Sequence, residues 1–348
     1  MDNKLIFFDS TLRDGSHAVS HKLEAENIKN YCREIDEAGL YTVIVGHGNG
    51  LGASSLQVGL SALTDNEMLE TAHRELKKTK LGAFLIPGFG TIKENLNPAI
   101  DRGVELFCVA VHCTEADVTK QHIEYIRSKG KEAYGILMMY HMATKERLLE
   151  EALKMQSYGA QGVILMDSAG ASVPKLVSDT VRYFVDHLKV RVGFHAHNNL
   201  GLAISNSLIA IESGAAIIDG TVRGFGAGAG NCQLEVLSGL LSKLEIETGL
   251  DLYKLMDASD HVVAKMMKTP QEITSMSLIS GLAGVFSGFA NNVKKAAIRF
   301  KVDPRDIFME LGRRKIVAGQ EDFIVDVAMY LASKKGSEEE SYDIESLL

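Results

Sequence analysis

The stretch IFFDSTLRDGSH (residues 6–17) combines a short buried strand with a polar turn that follows it at once. Its first three residues are apolar and predict the strand, whereas Arg13, Asp14 and His17 crowd into the turn. A guanidinium, a carboxylate and an imidazole so close in sequence are more typical of a reaction centre than of a surface loop. The end of this first strand is therefore the first candidate site.

A second stretch, GFHAHNN (residues 193–199), supplies side chains that match the first. Successive residues of a strand point to opposite faces, so His195 and His197 lie on the same face. Together with Asp14 they make two imidazoles and one carboxylate, a ligand set that suits a divalent metal ion. The two asparagines that follow could orient these ligands. A pair of hydrogen-bonded histidines without a metal is the alternative.

Strand and helix patterns alternate through the first 250 residues in eight repeats. The near-continuous apolar strands suit a parallel sheet that is buried on both faces. The sequence therefore predicts an α/β fold, a (β/α)8 TIM barrel over residues 1–250, with a doubly wound sheet as the alternative. From residue 251 only helical patterns follow, so a C-terminal all-helical domain is expected at 251–332. The charged residues at 333–348 predict a flexible tail.

Several histidines fall at or just beyond the predicted C-terminal ends of strands. They are His17, His47, His112, His141, His195 and His197. Barrel enzymes keep their chemistry at that face, so this shared placement supports a site there more strongly than any single histidine does.

The glycine-rich stretch GFGAGAGN (residues 224–231) follows the last predicted strand and opens a helix. Its backbone amides could hold an anion. Alternatively, its glycines could allow close packing of the backbone beside a crowded site. Dinucleotide binding is disfavoured, because that fingerprint follows the first strand of its fold and carries a third glycine that is missing here.

Composition excludes several classes of function. The net charge is −8 without a basic run, which argues against nucleic acid as a partner. No apolar run approaches the roughly 18 residues of a membrane helix, and the first residues do not resemble a signal peptide. The four cysteines form no CxxC pair, so reduced thiols and a cytoplasmic location are expected.

Three motifs together, TLRDGSHAVSH (11–21), HAHNNLG (195–201) and GFGAGAGN (224–231), resemble a known superfamily of metal-dependent aldolases and lyases. It contains isopropylmalate synthase and hydroxymethylglutaryl-CoA lyase, and within it the chain resembles the 4-hydroxy-2-oxovalerate aldolase family. The likeness also covers HCTEADVTKQHIEY (112–125) and AGQED (318–322) and runs nearly end to end. It implies a TIM barrel with a helical domain that meets an acylating aldehyde dehydrogenase. An oligomer is also expected.

The resemblance implies a role for each matching residue. The implied metal ligands are Asp14, His195 and His197, and the implied ion is Mn²⁺, with Mg²⁺ or Co²⁺ as alternatives. Arg13 would stabilise an enolate, His17 would act as the catalytic base, and Ser168 would contact the substrate carboxylate. The reaction implied is the cleavage, or formation, of a 4-hydroxy-2-oxo acid, with pyruvate and an aldehyde as the other reactants.

The chain departs from the family pattern around the predicted aldehyde pocket. Phe84 and Ile86 stand where relatives have leucines, and Phe286 stands where they have a tyrosine. These three residues are expected to contact the substrate together with Arg13, Asp14, His195 and Ser168. A reshaped aldehyde pocket is therefore expected.

Other departures change the charge that is expected at the barrel mouth. Ile44 and Asn49 replace two acids of the family pattern, and Arg223 adds a cation. Unpaired positive charge in a partly dry cleft is costly unless a ligand neutralises it. The resulting hypothesis is a larger or anionic aldehyde bound by Arg223. The alternative is that Arg223 pairs with an acid such as Asp219 or Glu235.

Two other functions compete with the aldolase. A Claisen-type condensing enzyme of the same superfamily would use an acyl-CoA instead of an aldehyde. A non-catalytic subunit would serve only as a scaffold for a dehydrogenase, but the intact Asp14, His195 and His197 count against that role.

Overall fold

The chain forms a closed barrel of eight parallel strands in sequence order, followed by a group of helices. The computed structural model describes residues 4–317 and 319–334. Each strand pairs with its neighbours in the sequence, and β8 pairs with β1 to close the barrel. The strands are β1 Ile6–Asp9, β2 Thr42–Ile44, β3 Lys80–Leu85, β4 Leu106–His112, β5 Glu132–Met138, β6 Gly162–Asp167, β7 Arg191–Ala196 and β8 Ile217–Gly220. The predicted TIM barrel is confirmed, and the doubly wound sheet is wrong.

Helices occupy the connections between strands and most of the described chain after β8. Those of the barrel are α1 Gly15–Ala18, α2 Ala25–Ile35, α3 Asp65–Glu75, α4 Asn97–Asp101, α5 Lys120–Ser128, α6 Lys145–Ser157, α7 Pro174–His187, α8 Ala203–Glu212 and α9 Leu234–Lys243. Those that follow are α10 Leu252–Asp257, α11 Ala264–Met266, α12 Ser275–Ala283, α13 Ala290–Phe300, α14 Pro304–Arg313 and α15 Asp322–Lys334.

Sequence signals fix where several of these helices begin. Thr64 accepts a hydrogen bond from the backbone N–H of Glu67, and the Glu67 carboxylate accepts one from the backbone N–H of Thr64. This reciprocal capping box satisfies two N–H groups that the first turn of α3 leaves free. Pro174 and Pro304 lie in the first turns of α7 and α14, where proline removes no helical hydrogen bond.

The strands are apolar on both faces because each face packs against something. One cluster of buried side chains, taken from alternate strand positions, fills the barrel interior. It consists of Ile6, Phe8, Ile44, Phe84, Leu106, Cys108, Ala110, Tyr134, Ile136, Ile164, Met166 and Ile217. The larger cluster lies between the strands and the surrounding helices. Ile44 is therefore an interior side chain and not a surface one.

A buried clamp holds the polar turn that follows β1. The Tyr31 hydroxyl, on α2, donates to Asp9 Oδ2 at 2.7 Å, and the backbone N–H of Thr11 donates to Asp9 Oδ1 at 2.8 Å. Thr11 Oγ1 in turn accepts from the backbone N–H of Val222, beyond β8, at 2.8 Å. Burial raises the pKa of Asp9 to about 6, although these hydrogen bonds oppose the shift. The clamp fixes the path of the chain just before Arg13 and Asp14.

The helices after β8 belong to two different cores. Leu255, Val263 and Met266 pack into the cluster around the barrel. Helices α12 to α15 enclose a separate core that includes Phe289, Phe308 and Val327. The domain division at residues 250 and 251 stays a prediction. The predicted tail begins within the last turn of α15, and its residues 335–348 lie outside the described residues.

Every helix in the described part of the chain is too short or too polar to span a bilayer.

Candidate metal centre and active-site cavity

Three buried side chains at the ends of β1 and β7 converge on one point. Asp14 Oδ2 lies 3.7 Å from His195 Nε2 and 3.8 Å from His197 Nε2, and the two imidazole nitrogens are 3.4 Å apart. Ligand atoms that each lie about 2.0–2.2 Å from one ion are roughly 3–4 Å from one another. The spacing of Asp14, His195 and His197 therefore fits a single divalent cation.

Buried partners orient His195 for this task. Its Nδ1 lies 2.8 Å from Asp219 Oδ2, on β8, and Asp219 Oδ1 accepts a hydrogen bond from Ser10 Oγ at 2.8 Å. A carboxylate on Nδ1 holds the proton there, so the Nε2 lone pair faces Asp14, His197 and Asn231. Sequence reasoning did not identify Asp219 as part of the site, because its only signal was its place at the end of β8.

The charge of Asp14 is compensated within the protein. Asp14 Oδ1 accepts the backbone N–H of Ala227 at 3.0 Å, and Asp14 Oδ2 lies 2.8 Å from Arg13 Nη1. Burial alone would raise the pKa of Asp14, but the Arg13 guanidinium and the nearby imidazoles outweigh it and hold that pKa well below its usual range. The carboxylate is thus ionised and ready to bind a cation.

Two further observations fit a metal at this point. The side-chain oxygen Oδ1 of Asn231 is buried without a hydrogen-bond partner among the described residues, although Asn231 Nδ2 lies 2.9 Å from His195 Nε2. Burial lowers the pKa of His197 to about 4, so this imidazole is neutral at neutral pH, as a metal ligand must be. In the sequence, Asn231 ends the glycine-rich stretch, and its residue type alone does not indicate that it belongs to the site.

Arg13 and His17 lie beside the triad. The Arg13 guanidinium donates to Ser10 Oγ at 3.3 Å and lies 4.5 Å from the centre of the Phe84 ring. Burial lowers the pKa of His17, with Asp14 opposing the shift, so the neutral imidazole persists below the usual range. The His17 ring meets the Phe286 ring edge to face, with 6.5 Å between their centres.

One cavity of about 210 Å³ opens onto these groups. Nearly all the predicted substrate-binding side chains line it: Arg13, Asp14, Phe84, Ile86, Ser168 and Phe286, with His17 and His197. His195 does not line the cavity: it is fully buried and lies against Asp219, Asp14 and His197. The wall also contains residues that the sequence did not single out, among them Met138, Met166, Glu115 and Glu321.

Arg223 lies outside the cavity, so the prediction that it binds substrate is corrected. Its guanidinium donates to Asp260 Oδ1 at 2.9 Å and to Ser259 Oγ at 3.2 Å, while its backbone N–H donates to the Glu235 carboxylate. The φ angle of Arg223 is +61°, and the side chain points toward the helical segment Ala258–Val263. Arg223 therefore forms an ion pair with an acid, Asp260, which was the alternative to substrate binding.

Two backbone amides of the glycine-rich loop donate to side chains of the protein. The backbone N–H of Ala227 donates to Asp14 and that of Ala229 donates to Asn199 Oδ1, both at 3.0 Å. The carbonyl of Gly230 accepts from the backbone N–H of Asn198 at 2.8 Å. The close-packing interpretation of this stretch is therefore the better one.

The remaining rim histidines have separate surroundings. His47 stacks on His21 with 3.7 Å between ring centres, and His141 Nε2 lies 3.1 Å from the Gly284 carbonyl in the helical region. His112 lines the cavity. The side chain of Asn198 accepts from the backbone N–H of Ala203, the first residue of α8, and makes no hydrogen bond to a candidate metal ligand among the described residues.

Comparison with known proteins finds matching protein families and similar enzymes. The HMGL-like family matches residues 4–262, and the DmpG-like communication domain matches residues 271–333. A 4-hydroxy-2-oxovalerate aldolase from Spirochaeta aurantia is 53% identical over 330 residues, which covers 95% of this chain and 97% of the relative. Another 4-hydroxy-2-oxovalerate aldolase, from Pectobacterium atrosepticum, is also 53% identical, over 96% of this chain and 97% of its own length.

Solved structures share the fold at low sequence identity. The carboxyl transferase domain of Rhizobium etli pyruvate carboxylase superposes with a TM-score of 0.81 at 16% identity, over 96% of this chain and 61% of that one. The N-terminal domain of a putative aldolase from Bacteroides vulgatus gives a TM-score of 0.70 at 22% identity, over 83% of this chain and 96% of that one. These likenesses concern the fold alone.

The triad makes a prediction about metal binding that does not depend on turnover. Protein stripped with a chelator should bind one Mn²⁺ per chain, measured from the electron paramagnetic resonance signal of the free ion. His195→Ala should weaken this binding by more than about 100-fold, since changes to residues behind the ligands already cost 10–100-fold. His141→Ala, at another rim histidine, serves as the control and should bind as the wild type does. Equal affinity in both variants would remove the triad from the metal site.

Proposed function

Because this chain belongs to the HMGL-like family and, within it, to the 4-hydroxy-2-oxovalerate aldolases, we propose that it interconverts 4-hydroxy-2-oxovalerate with pyruvate and acetaldehyde. It is a carbon–carbon lyase of this family and depends on a divalent metal. The observation that carries the proposal is that Asp14 and His197 share one cavity wall with Arg13 and His17. The candidate metal ligands and the candidate acid–base groups therefore face the same bound molecule.

The 2-oxo acid end of the substrate is proposed to bind at Arg13 and Ser168. Ser168 Oγ accepts the backbone N–H of Met139 at 3.2 Å, which leaves its hydroxyl hydrogen free to donate to a carboxylate. Arg13 is held by Asp14 and Ser10 on one side and by the Phe84 ring on the other. Its guanidinium is thus positioned before the substrate binds, so little reorganisation is needed during the reaction.

The proposed chemistry uses His17 and Arg13 in sequence. His17 accepts the proton of the 4-hydroxyl group, the C3–C4 bond breaks, and C4 becomes the carbonyl carbon of the aldehyde. The electron pair of that bond passes to the pyruvate enolate, whose oxygen the Arg13 guanidinium stabilises. The proton that His17 accepted then passes to C3, directly or through water, which gives pyruvate and returns His17 to its neutral form. A divalent ion held by Asp14, His195 and His197 supplies Lewis-acid polarisation of the 2-oxo group when it is bound.

The aldehyde end of the cavity favours a small, uncharged aldehyde. Phe84, Ile86 and Phe286 contribute apolar walls, and the acids Glu115 and Glu321 line the same cavity. Carboxylates repel an anionic aldehyde, and the cation that was expected to attract one, Arg223, is paired with Asp260. The larger or anionic aldehyde therefore loses its support, and acetaldehyde fits the walls better.

We propose Mn²⁺ as the ion, with Mg²⁺ and Co²⁺ as alternatives. Two imidazoles and one carboxylate form a mixed ligand set. Imidazole suits later transition metals, whereas carboxylate and water suit Mg²⁺ and Mn²⁺. Mn²⁺ accepts both kinds of ligand, so the chemistry of the donors favours it.

An acylating aldehyde dehydrogenase is the proposed protein partner. The match of residues 271–333 to the DmpG-like communication domain supports this partner. Helix α12 presents apolar side chains to the surface, with Leu282 62% exposed and Leu278 43% exposed. We further propose an oligomer and a cytoplasmic location, the latter because all four cysteines, which lie in the described part of the chain, are buried free thiols.

The reaction itself gives the first test. The purified protein with Mn²⁺ should cleave 4-hydroxy-2-oxovalerate, and lactate dehydrogenase with NADH should detect the pyruvate that forms. A chelator should abolish turnover, and added Mn²⁺ should restore it. Incubation of pyruvate with acetyl-CoA, followed by assay of free CoA, addresses the Claisen-type alternative. Release of CoA without any cleavage of the oxo acid would overturn the aldolase proposal, and a metal-loaded protein that does neither would favour a scaffold.

His17→Ala tests the proposed base. The variant should lose roughly 10²–10⁴-fold in kcat, the usual contribution of a general base, while its Mn²⁺ affinity stays unchanged. Because burial lowers the pKa of His17 below 6.5, the wild-type rate should hold from neutral pH to below 6.5 and fall as the pH drops through that lowered pKa. The variant should lack this acidic limb. His122→Ala, on α5, is the control; a normal rate in His17→Ala would assign the role to a neighbour such as His21.

Co-expression with an acylating aldehyde dehydrogenase tests the proposed partner. Size-exclusion chromatography at micromolar concentration should show both chains in one peak. Leu282→Glu places a charge on the exposed face of α12 and should separate them. Leu56→Glu, at a barrel-loop residue that is 91% exposed, is the matched control and should leave the complex intact. Two separate peaks for the wild type would count against a stable complex.

A further inference from the structure

Asn199 is a fully buried amide whose hydrogen bonds reach three separate segments of the chain. It lies two residues beyond the candidate ligand His197 and is 0% exposed. Its Nδ2 donates to the carbonyl of Ala169 at 2.9 Å and to Ser287 Oγ at 2.6 Å. Its Oδ1 accepts the backbone N–H of Ala229 at 3.0 Å. Both donor hydrogens and the acceptor are therefore used, so the amide has one orientation: a flip would set oxygen against oxygen at Ala169.

Each of the three contacts leads to a different wall of the active site. Ala169 follows Ser168, the proposed carboxylate contact. Ala229 lies in the glycine-rich loop, in which the backbone N–H of Ala227 donates to the candidate ligand Asp14. Ser287 follows Phe286, whose ring faces His17 from the helical region. One side chain thus connects the substrate contact, the metal ligand and the aromatic wall.

Close packing around Asn199 is an independent sign that its position is constrained. A Cβ atom added at Gly228 would lie 2.6 Å from Asn199 Oδ1, and one at Gly281, on α12, would lie 3.0 Å from Asn199 Cβ. A Cβ atom at Gly170 would lie 2.8 Å from the Asn199 nitrogen. Glycines from three segments therefore lie against one asparagine, and an added side chain at any of them would meet it at 3.0 Å or less.

We propose that Asn199 is a positioning residue that couples the helical region to the metal centre. The contact with Ala229 holds the loop that supports Asp14, and the contact with Ser287 holds the Phe286 wall at a fixed distance from the same centre. A displacement of the helical region is then transmitted through one amide to the groups that bind metal and substrate. This inference rests on the proposed metal-dependent aldolase activity and adds to it a residue that touches neither ion nor substrate.

The experiment separates the contact of Asn199 with Ser287 from its contact with Ala229. Asn199→Ala removes the hydrogen bonds to Ala169, Ala229 and Ser287, whereas Ser287→Ala leaves the first two and removes only the one that reaches the helical region. Asn206→Ala is the matched control, because Asn206 is another buried asparagine that donates to a carbonyl of the same loop, Ser172, at 2.8 Å. Each variant is measured for Mn²⁺ affinity by electron paramagnetic resonance, for kcat and KM with 4-hydroxy-2-oxovalerate, and for thermal unfolding.

The wild type is measured first, so that two kinds of failure remain distinct. A wild type without Mn²⁺ binding or cleavage overturns the proposed function and this inference with it. If the wild type binds Mn²⁺ and cleaves 4-hydroxy-2-oxovalerate, the results for the variants alone decide whether the inference holds.

We expect Asn199→Ala to weaken Mn²⁺ binding by about tenfold or more, as other changes behind metal ligands do. Ser287→Ala should keep the Mn²⁺ affinity but lower kcat/KM by about threefold or more, the scale of one lost hydrogen bond. Asn206→Ala should change the melting temperature only. In the double variant Asn199→Ala/Ser287→Ala, kcat/KM should fall no further than in Asn199→Ala, because both changes break the same connection.

Three results would overturn the inference. The first is an Asn199→Ala variant with wild-type Mn²⁺ affinity. The second is a Ser287→Ala variant that matches Asn206→Ala in kcat/KM, and this comparison remains decisive even if Asn199→Ala does not fold. The third is a double variant whose losses multiply, which would mean that the two residues act independently.

Discussion

The ionised carboxylate of Asp14, buried at the end of β1, is the constraint on which the site depends. A charge removed from water is tolerated only where partners and hydrogen bonds compensate it, and removing one partner of a buried ion pair costs about 3–5 kcal/mol. Here Arg13 supplies the opposite charge and the backbone N–H of Ala227 supplies a hydrogen bond. Burial lowers the pKa of His197, so that imidazole is neutral, and Asp219 orients the imidazole of His195. The loops at this face of the barrel are arranged around that requirement.

Much of the polar chemistry of the chain serves to hold those loops in place. Asp9 and Tyr31 fix the turn after β1 from the outside of the barrel, while Ser10 and Asp219 fix it from the inside. In the glycine-rich loop, the amides of Ala227 and Ala229 donate to the side chains of Asp14 and Asn199. A site whose reacting groups sit on loops gains its precision in this way, because buried polar contacts between loops restrict each side chain to one position.

The sequence predicted those features that depend on periodicity, and it missed those that depend on single torsion angles or distant contacts. The barrel followed from alternating strand and helix patterns, and the pairing of His195 with His197 followed from the two-residue period of a strand. The direction of the Arg223 side chain depends on the positive φ angle of that residue, which the pattern of apolar and polar residues does not predict. Asp219 and Ser10 are 209 residues apart in sequence, so their contact could not be inferred without knowing how the barrel closes.

The closure of β8 against β1 has a consequence for the order of events during folding. Asp14 lies just after the first strand, whereas His195, Asp219 and Asn231 come from the last two strands and the loop beyond them. Contacts between segments so distant in sequence form late, because the entropy of closing a long loop must be overcome before they contribute. A ribosome-bound chain that has not yet produced β8 cannot assemble the triad with its supports. The ability to capture a cation thus arises in the same step that turns an open sheet into a barrel, and an ion that binds only the closed form draws the folding equilibrium toward it.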